Sequence, residues 1–173
     1  MEKELFSTLS FEQASSMLTK KAKYALKATA YLAGLPLDVL VSGKEIAEMQ
    51  NIPKKFLDAI LIELKNHGLI YSKKGLNGGY CLARKASSIV VGDVIRVIDG
   101  PLAPIACASK TRYRPCDDCL DEASCRVKKV MQEAQQALSS VFDSITLEQM
   151  AVKVSDKSHQ KTPKGGSLRS RQK

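Results

Sequence analysis

Apolar residues return every three or four positions along the first clearly patterned stretch of the chain. Between Leu18 and Ala33 this spacing places leucine, alanine and threonine side chains on one face, which predicts a helix packed against a core. Gly34 and Pro36 follow at once and predict the end of that helix. The preceding residues, 1–17, are polar and predict a dispensable N-terminal extension.

Two further helical patterns follow between Ser42 and Gly68. Ser42, with Glu45 three residues later, has the form of a capping box and predicts the start of a short helix. Residues 51–53 (Asn-Ile-Pro) interrupt the pattern, and a second helix is predicted to run to a stop at Gly68. The predicted buried face of this second helix consists of Leu57, Ile60, Leu61 and Leu64.

A β-hairpin is predicted after these helices. Two short apolar runs, 69–71 and 80–82, flank a loop rich in lysine, glycine and asparagine. Two helices joined by a tight turn and followed by a hairpin describe a winged helix-turn-helix, whose second helix enters the major groove of DNA.

The remaining pattern predicts two more helices and a short one at the end. Residues 87–101 predict an extended piece and a small helix. A long helix with one apolar stripe follows the cysteine-rich segment, and in so small a chain it is predicted to pack on a partner. Thr146 and Gln149 predict a capping box for a brief last helix. The stripe is formed by Val127, Val130, Met131, Ala134, Leu138, Val141, Phe142 and Ile145.

Lysines at both expected contact regions predict binding to double-stranded DNA. The N-terminal residues of the second helix meet base edges, and a basic hairpin tip contacts phosphates. A solvated helix face and an ordinary glycine-rich turn also carry lysine, but the order helix, turn, helix and basic hairpin favours DNA binding. The predicted DNA-binding residues are Ser42, Pro53, Lys54, Lys55, Phe56, Asp58, Lys73, Lys74, Gly75, Asn77, Gly78, Gly79 and Tyr80.

Charge and hydropathy indicate where in the cell the protein is expected, but they do not identify its function. The chain of 173 residues carries a formal charge of +9, but residues 153–173 alone hold seven basic side chains against one aspartate and predict a basic disordered tail. The N-terminus lacks the features of a signal peptide, and no apolar run approaches a membrane span. We therefore expect a cytoplasmic protein without a membrane partner.

Four of the five cysteines lie within nineteen residues, at Cys107, Cys116, Cys119 and Cys125. A structural disulfide is disfavoured in a reducing cytoplasm. Zinc would satisfy four thiolates, although zinc ribbons generally use two Cys-x-x-Cys pairs and this segment has one. An iron–sulfur cluster also takes four thiolates, and unligated thiols could act as redox sensors. Cys81, among apolar neighbours, is predicted to be an inert core residue.

Three segments together resemble one family of proteins. LTKKAKYALKATAYLA, EIAEMQNIPKKFLDAILIELKNHGLIYSKKGLNGGYCLA and KASSIVVGDVIRVIDG are similar to the IscR/NsrR/CymR family of bacterial winged-helix transcription regulators, from about Leu18 to Met150. The most specific part combines the wing from Lys74 to Leu82 with Ser87 to Ile95. The resemblance implies homodimers joined through a long helix from about Asp121 to Phe142, palindromic operators, and a sensory loop before that helix.

This resemblance defines the expected organisation. The fold is expected to be mainly α with a small β-hairpin, with a winged helix-turn-helix DNA-binding domain and a long C-terminal dimerisation helix. The expected divisions are an extension at 1–17, the DNA-binding domain at 18–106, a cysteine-rich sensor loop at 107–125, the dimerisation helix with the short terminal helix at 126–152, and the tail at 153–173.

Several relatives in that family use three loop cysteines for a cluster, and this chain departs from them. Tyr113 stands where a third cysteine is usual, Lys128 where some members have a histidine ligand, and Lys23 where others place an acidic ligand. The extra cysteine can replace these ligands, so an all-cysteine iron–sulfur cluster is expected, with 2Fe–2S favoured over 4Fe–4S.

The expected function is that of a DNA-binding transcriptional repressor whose operator affinity depends on the state of the iron–sulfur cluster at the four cysteines. The alternative is a thiol-redox or zinc-containing regulator without a cluster, which acts with a cysteine-metabolism enzyme as partner. An enzyme or electron carrier is disfavoured because no nucleophile–base pair or nucleotide loop accompanies the cysteines.

Overall fold

The computed structural model describes residues 17–75, 77–119 and 121–155. These residues form six helices and one two-stranded antiparallel sheet, which confirms the expected fold, mainly α with a small β-hairpin. The predicted extension lies outside the described residues except for Met17, and the predicted tail lies outside them from position 156 onward. Among the described helices, none is long and apolar enough to cross a membrane.

Helix α1 (Lys20–Ala33) lies at the centre of the molecule and contacts four other helices. Its buried face includes Ala22, Ala25 and Ala28, which have no exposed surface. Alanine combines the highest helix propensity with a short side chain, so neighbouring helices can approach the α1 backbone closely. The predicted stop is confirmed, because Gly34 forms the C-terminal cap.

Helices α2 (Gly43–Gln50) and α3 (Lys54–Asn66) form the predicted helix-turn-helix. Ser42 caps α2, since its hydroxyl oxygen accepts a hydrogen bond from the Glu45 backbone N–H at 3.1 Å. The turn passes through Asn51 with φ of 50°, a left-handed conformation that asparagine tolerates better than most residues. Helix α3 buries its four predicted residues, Leu57, Ile60, Leu61 and Leu64.

Strands β1 (Ile70–Lys73) and β2 (Gly79–Leu82) form the predicted wing. A further antiparallel bridge joins Tyr80 of β2 to Val41, which precedes the cap of α2. The Val41 N–H donates to the Tyr80 carbonyl at 3.0 Å, and the Tyr80 N–H donates to the Val41 carbonyl at 2.8 Å. The wing is therefore attached to the start of α2, and the two form one continuous surface.

Helix α5 spans Arg126–Ser144, so it begins five residues after the expected start at Asp121. The Asp121 carboxylate accepts hydrogen bonds from two following backbone N–H groups, at 3.0 and 3.2 Å, and these bonds stabilise a turn in place of a helix. Cys125 then caps α5, with its sulfur accepting from the Lys128 backbone N–H at 3.4 Å. The cysteine segment therefore reaches the first residue of α5.

Helices α4 (Val91–Ile98) and α6 (Leu147–Ser155) both pack against α1. Leu147 is fully buried in the same core as α3, so α6 belongs with the winged helix in its packing, although the sequence grouped it with the dimerisation helix. The predicted capping box is confirmed: the Thr146 hydroxyl accepts from the Gln149 N–H at 3.2 Å, and the Gln149 side chain accepts from the Thr146 N–H at 3.0 Å.

Two backbone hydrogen bonds, which we call the α5 anchor, join the end of α5 to the segment before α4. The Val91 N–H donates to the Ile145 carbonyl at 2.9 Å, and the Leu147 N–H donates to the Ile89 carbonyl at 2.8 Å. Ile89 and Leu147 have no exposed surface, so water does not compete for the second bond. The C-terminal end of α5 is thereby fixed to the winged helix.

The apolar stripe of α5 divides into two parts. Met131, Leu138 and Phe142 are half-buried against the rest of the chain. Val127, Val130 and Val141 are 60%, 56% and 54% exposed, although valine is a residue that proteins usually bury. One ridge of α5 therefore has no cover within the described part of the chain.

Replacing Gly79 by alanine should weaken the attachment of the wing. A Cβ at position 79 would lie 2.6 Å from the Val41 carbonyl oxygen, so the bridge between β2 and Val41 must shift. We expect the free energy of unfolding, measured by urea denaturation, to fall by about 1–3 kcal/mol. Gly34→Ala is the matched control, because its Cβ would meet nothing closer than 3.5 Å. An equal loss in both variants would contradict this explanation.

Candidate functional site

The exposed face of α3 carries the residues that the sequence assigns to base contact. Pro53 is exposed, directly precedes α3, and makes no side-chain capping bond to the start of the helix. Lys55 and Phe56 point away from the core, and Phe56 is 62% exposed. Lys54 forms an ion pair with Asp58 one turn later, so these two predicted contact residues neutralise each other in the free protein.

A cleft of about 430 Å³ lies between the start of α2, the face of α3 and the wing. We call it the wing cleft. Four lysines line it, and Ser42 presents the start of α2 at its edge. Positive charge and a helix N-terminus both attract anions. The wing cleft is lined by Ser42, Gly43, Lys54, Ile62, Lys65, Ser72, Lys73, Lys74, Gly78, Gly79 and Tyr80.

The wing cleft brings seven of the predicted DNA-binding residues together and adds others. Lys65 and Ile62 were not predicted to belong to this surface. Helical spacing could have identified them, because residues 54, 58, 62 and 65 follow one face of a helix with 3.6 residues per turn. The predicted residues outside the lining of the wing cleft are Pro53, Lys55, Phe56, Asp58, Gly75 and Asn77.

The glycines of the wing serve internal packing as well as the exposed tip. A Cβ on Gly78 would lie 2.3 Å from the Lys73 carbonyl oxygen, so the tip cannot close around a larger residue. Gly75 has a φ of 112°, which favours glycine, and Asn77 is exposed beside it. Leu76, between them, lies outside the described residues. The fold of the wing itself therefore requires glycine at positions 75 and 78.

The four clustered cysteines form two pairs in the structure. Cys107 is buried in a short 3-10 turn, and the Cys116 thiol donates to its sulfur at 3.3 Å. Cys119 lies near Cys125, the cap of α5, and the two thiols shift each other's pKa. Cys116 also interacts electrostatically with Cys119, so the two pairs are neighbours. All five cysteines are free thiols, and Cys81 is buried in the wing as predicted.

Different surroundings shift the pKa values of these thiols in different directions. The hydrogen bond to Cys107, followed by burial, raises the pKa of Cys116 to about 11. Burial, followed by the hydrogen bond to Cys125, raises the pKa of Cys119. The pKa of Cys125 is lowered instead, chiefly because the Lys128 backbone N–H donates to its sulfur. At the helix cap, the backbone hydrogen bond to the sulfur of Cys125 therefore outweighs the effect of burial on its pKa.

A cluster of three charged or polar side chains closes the cysteine segment. The Tyr113 hydroxyl and the Lys128 ammonium both donate to the Glu122 carboxylate, each at 2.6 Å. The Lys128 nitrogen also lies 5.4 Å from the centre of the Tyr113 ring, within the range of a cation–π interaction. These bonds lower the pKa of Glu122 and raise those of Lys128 and Tyr113. We call Tyr113, Glu122 and Lys128 the loop clasp.

Four cysteines can bind a metal ion or a cluster through their thiolates. In this structure they lie in two pairs and do not surround one common centre. Among the described residues, no group of three histidine, cysteine, aspartate or glutamate side chains is arranged to hold one metal ion. A single tetrahedral zinc needs four ligands around one centre, whereas a 2Fe–2S cluster divides four thiolates between two irons. The two thiol pairs match the second requirement better than the first.

Comparison with known proteins assigns the fold and these surfaces to a class. Residues 18–153 match the Rrf2 family, whose members are described as iron-dependent transcriptional regulators. The chain belongs to the Rrf2 family, and the resemblance to the IscR/NsrR/CymR regulators found in the sequence is confirmed. It is therefore a winged-helix transcriptional regulator.

A relative and two solved structures are similar over most of their lengths. A Rhodobacter capsulatus protein, named as an rrf2-like HTH-type transcriptional regulator, is 42% identical over 137 residues, which cover 78% of this chain and 91% of that protein. CymR, the global cysteine regulator of B. subtilis, is 29% identical with a TM-score of 0.64 and covers 79% of this chain and 96% of its own. IscR of T. potens is 29% identical with a TM-score of 0.61 and covers 84% and 93%.

These relatives are regulators rather than enzymes, which confirms the expectation that this chain is not an enzyme. The descriptions of the family and of one relative name different subjects: the family is described as iron-dependent, whereas CymR is described as a global cysteine regulator. Family membership therefore fixes the class of protein and leaves the chemistry of the cysteine site to this chain's own residues.

Alkylation rates should reproduce the order of the thiol pKa values. In reduced, metal-free protein near neutral pH we expect iodoacetamide to label Cys125 before Cys116, because the thiolate is the reactive form. Peptide mass spectrometry over time measures each rate. Buried Cys81 is an internal reference that should stay unlabelled in the folded protein. Equal rates for Cys116 and Cys125 would contradict the capping effect.

Proposed function

We propose that two copies of this chain bind a palindromic DNA operator through α3 and the wing, and that the state of the cysteine site controls their affinity. The observation that carries the DNA-binding part is the wing cleft. Lys54, Lys65, Lys73 and Lys74 line it together with the start of α2, directly beside the exposed face of α3. A cleft of this charge suits the phosphate backbone, and α3 then lies in the adjacent major groove.

Direct contact with bases is proposed for the first turn of α3. Lys55 is exposed there and can donate to guanine O6 and N7, and the exposed ring of Phe56 can contact a thymine methyl group. Lys54 is held by Asp58 in the free protein. Contact with a phosphate would draw Lys54 away and leave the Asp58 carboxylate to accept from a cytosine amino group or to repel other bases.

The exposed ridge of α5 supports a homodimer. Val127, Val130, Ala134, Ala137 and Val141 are separated by three, four, three and four residues, which is the spacing of the contact seam between two helices. The three valines are more than half exposed, and the alanines at the centre permit close approach of a second helix. A second copy of α5 carries the same residues at the same spacing, so the ridges of two copies can pack against each other.

Replacing Lys54 and Lys55 together by alanine should weaken operator binding by about 10- to 100-fold, because a base or phosphate contact is lost at each position. The probe is a DNA fragment that the wild-type protein selects from a random library, and fluorescence anisotropy measures affinity. We also expect a shallower dependence of affinity on salt. Two chains should bind each fragment.

Lys129→Ala is the matched control, since it removes one exposed lysine from α5, far along the chain from α3. Its affinity should remain that of the wild type. Unchanged affinity in the double variant would reject the assignment of α3 as the helix that contacts DNA.

For the cysteine site we propose an iron–sulfur cluster with four cysteine ligands, Cys107, Cys116, Cys119 and Cys125. The two thiol pairs support a 2Fe–2S cluster over one zinc ion. The loop clasp supports an all-cysteine set, because the Lys128 ammonium is bound to Glu122 at the position where some relatives place a histidine ligand. When bound, such a cluster would make the site responsive to reductants and oxidants.

The chain offers a physical connection from the cysteine site to the DNA surface. Cys125 caps α5, so a change in its bonding alters the first turn of that helix. At the other end of α5, the Asp143 carboxylate accepts from Arg96 of α4 at 2.6 Å, and Arg96 lies 3.8 Å from Asp93. Asp93 in turn accepts from Arg84, directly after the wing, at 3.2 Å.

Anaerobic purification tests the proposed cluster. We expect a coloured protein with about two iron and two sulfide per chain, from absorption spectra and elemental analysis. Each of Cys107, Cys116, Cys119 and Cys125 changed to serine should lose iron, whereas Cys81→Ala and Lys128→Ala should retain it. Circular dichroism confirms folding of each variant. A colourless protein with one zinc per chain would reject the cluster and leave the DNA-binding proposal intact.

A second candidate for the same site is a switch that works through thiols alone. It is favoured by the 3.3 Å contact between the sulfurs of Cys107 and Cys116. Oxidation would remove one proton from each thiol and two electrons from the pair, form the S–S bond, and reduce hydrogen peroxide to two waters. Metal-free protein that gains this disulfide with peroxide and loses operator affinity would favour this candidate over the cluster.

A further inference from the structure

A polar cavity of about 380 Å³ lies between α4, the segment that leads into the cysteine loop, and α5. We call it the α4–α5 cavity. It shares no lining residue with the wing cleft and contains none of the four clustered cysteines. Its size falls within the range of small-molecule sites. The cavity is lined by Arg96, Pro101, Leu102, Lys110, Thr111, Gln135, Gln136, Ser139, Ser140 and Asp143.

Gln135 is the unusual residue of this cavity. Its side chain is 7% exposed, and its carboxamide oxygen has no hydrogen-bond partner among the described residues. Buried polar atoms without a partner are rare in folded proteins and call for a specific explanation. The oxygen is fully covered at present, but the last torsion of a glutamine side chain rotates easily and exchanges its oxygen and nitrogen ends. Gln135 therefore offers an acceptor or a donor to a molecule in the cavity.

The charges around the cavity favour an anion. Arg96 is bound to Asp143 at 2.6 Å, so this pair is close to neutral. Lys110 makes no ion pair with any of the described residues, and its positive charge is therefore available. Hydroxyl groups of Thr111, Ser139 and Ser140 complete a lining that can both donate and accept hydrogen bonds.

The cavity lies on the side of α5 opposite its exposed ridge. Gln135, Ser139 and Asp143 follow one another at intervals of four residues, and this row is about half a turn away from Val130 and Val141 at 100° per residue. A second copy of the chain seated on the ridge would therefore leave the cavity open.

We infer that the α4–α5 cavity binds a small organic anion that also carries a hydrogen-bond donor, namely an amino- or hydroxycarboxylate. The carboxylate pairs with Lys110, and the amino or hydroxyl group donates to the carboxamide oxygen of Gln135. The bound molecule would join α4, the start of the cysteine loop and α5. This role goes beyond the proposed function, because it gives the regulator a small-molecule input separate from the thiols.

Thermal unfolding of the full-length protein as purified tests this site. The probes are glycine, L-serine, L-glutamate, glycolate, L-malate and citrate, each at about 10 mM, with sodium chloride and sodium sulfate at matched ionic strength. We expect at least one carboxylate to raise the melting temperature by about 5–10 °C at 100 times its dissociation constant, and the inorganic salts not to do so.

Two variants remove the proposed contacts. Lys110→Met removes the free cation at the surface, and Gln135→Leu removes the carboxamide with little change in volume, so the rise in melting temperature should be lost in both. Gln132→Leu, an exposed glutamine of α5 outside the cavity lining, should keep it. The inference is overturned if no probe raises the melting temperature. It is equally overturned if sulfate acts as strongly as the carboxylates, which would indicate an adventitious ion only, or if the rise persists in both variants.

Discussion

The α5 anchor is the constraint on which the rest of the structure depends. Its two backbone hydrogen bonds connect the segments around Ile89 and Leu147, and both of these side chains lie in the core. The anchor fixes one end of α5 to the winged helix, while the other end begins at Cys125 in the cysteine loop. A helix held in this way is a rigid element, because its internal hydrogen bonds resist bending over its 19 residues.

The wing surface and the cysteine loop, which α5 connects, depend on different kinds of interaction. The proposed DNA surface depends on shape and charge that exist before binding, since the bridge between Val41 and Tyr80 places the wing lysines beside α3. The cysteine loop depends on local bonds that adjust each thiol separately, and Cys116 and Cys125 differ in the direction of their pKa shifts. In the regulation that we propose, the ion pair between Asp143 and Arg96 is the contact that joins α5 to α4 and so links the two surfaces.

Much of the fold is predictable from the sequence because local patterns and tertiary packing agree. Ser42, Gly34 and the apolar spacing of α3 predict the helices that form. Helix α5 starts later than the resemblance implied, at Arg126 rather than Asp121, because Asp121 satisfies nearby backbone N–H groups in a turn. The burial of α6, the loop clasp and the unpartnered oxygen of Gln135 depend on contacts between distant segments, so no local pattern contains them.

The loop clasp has a consequence for how quickly the cysteine site can change its occupant. Tyr113 and Lys128 are fifteen positions apart, and their common bond to Glu122 closes the intervening chain into a loop. The conformational entropy of that closure is lost when the protein folds, and not when a group binds to the thiols. For the proposed cluster, Cys116, Cys119 and Cys125 are therefore presented at a high effective concentration. If that cluster is lost, the same clasp holds the loop closed, so the thiols stay close together for a new one.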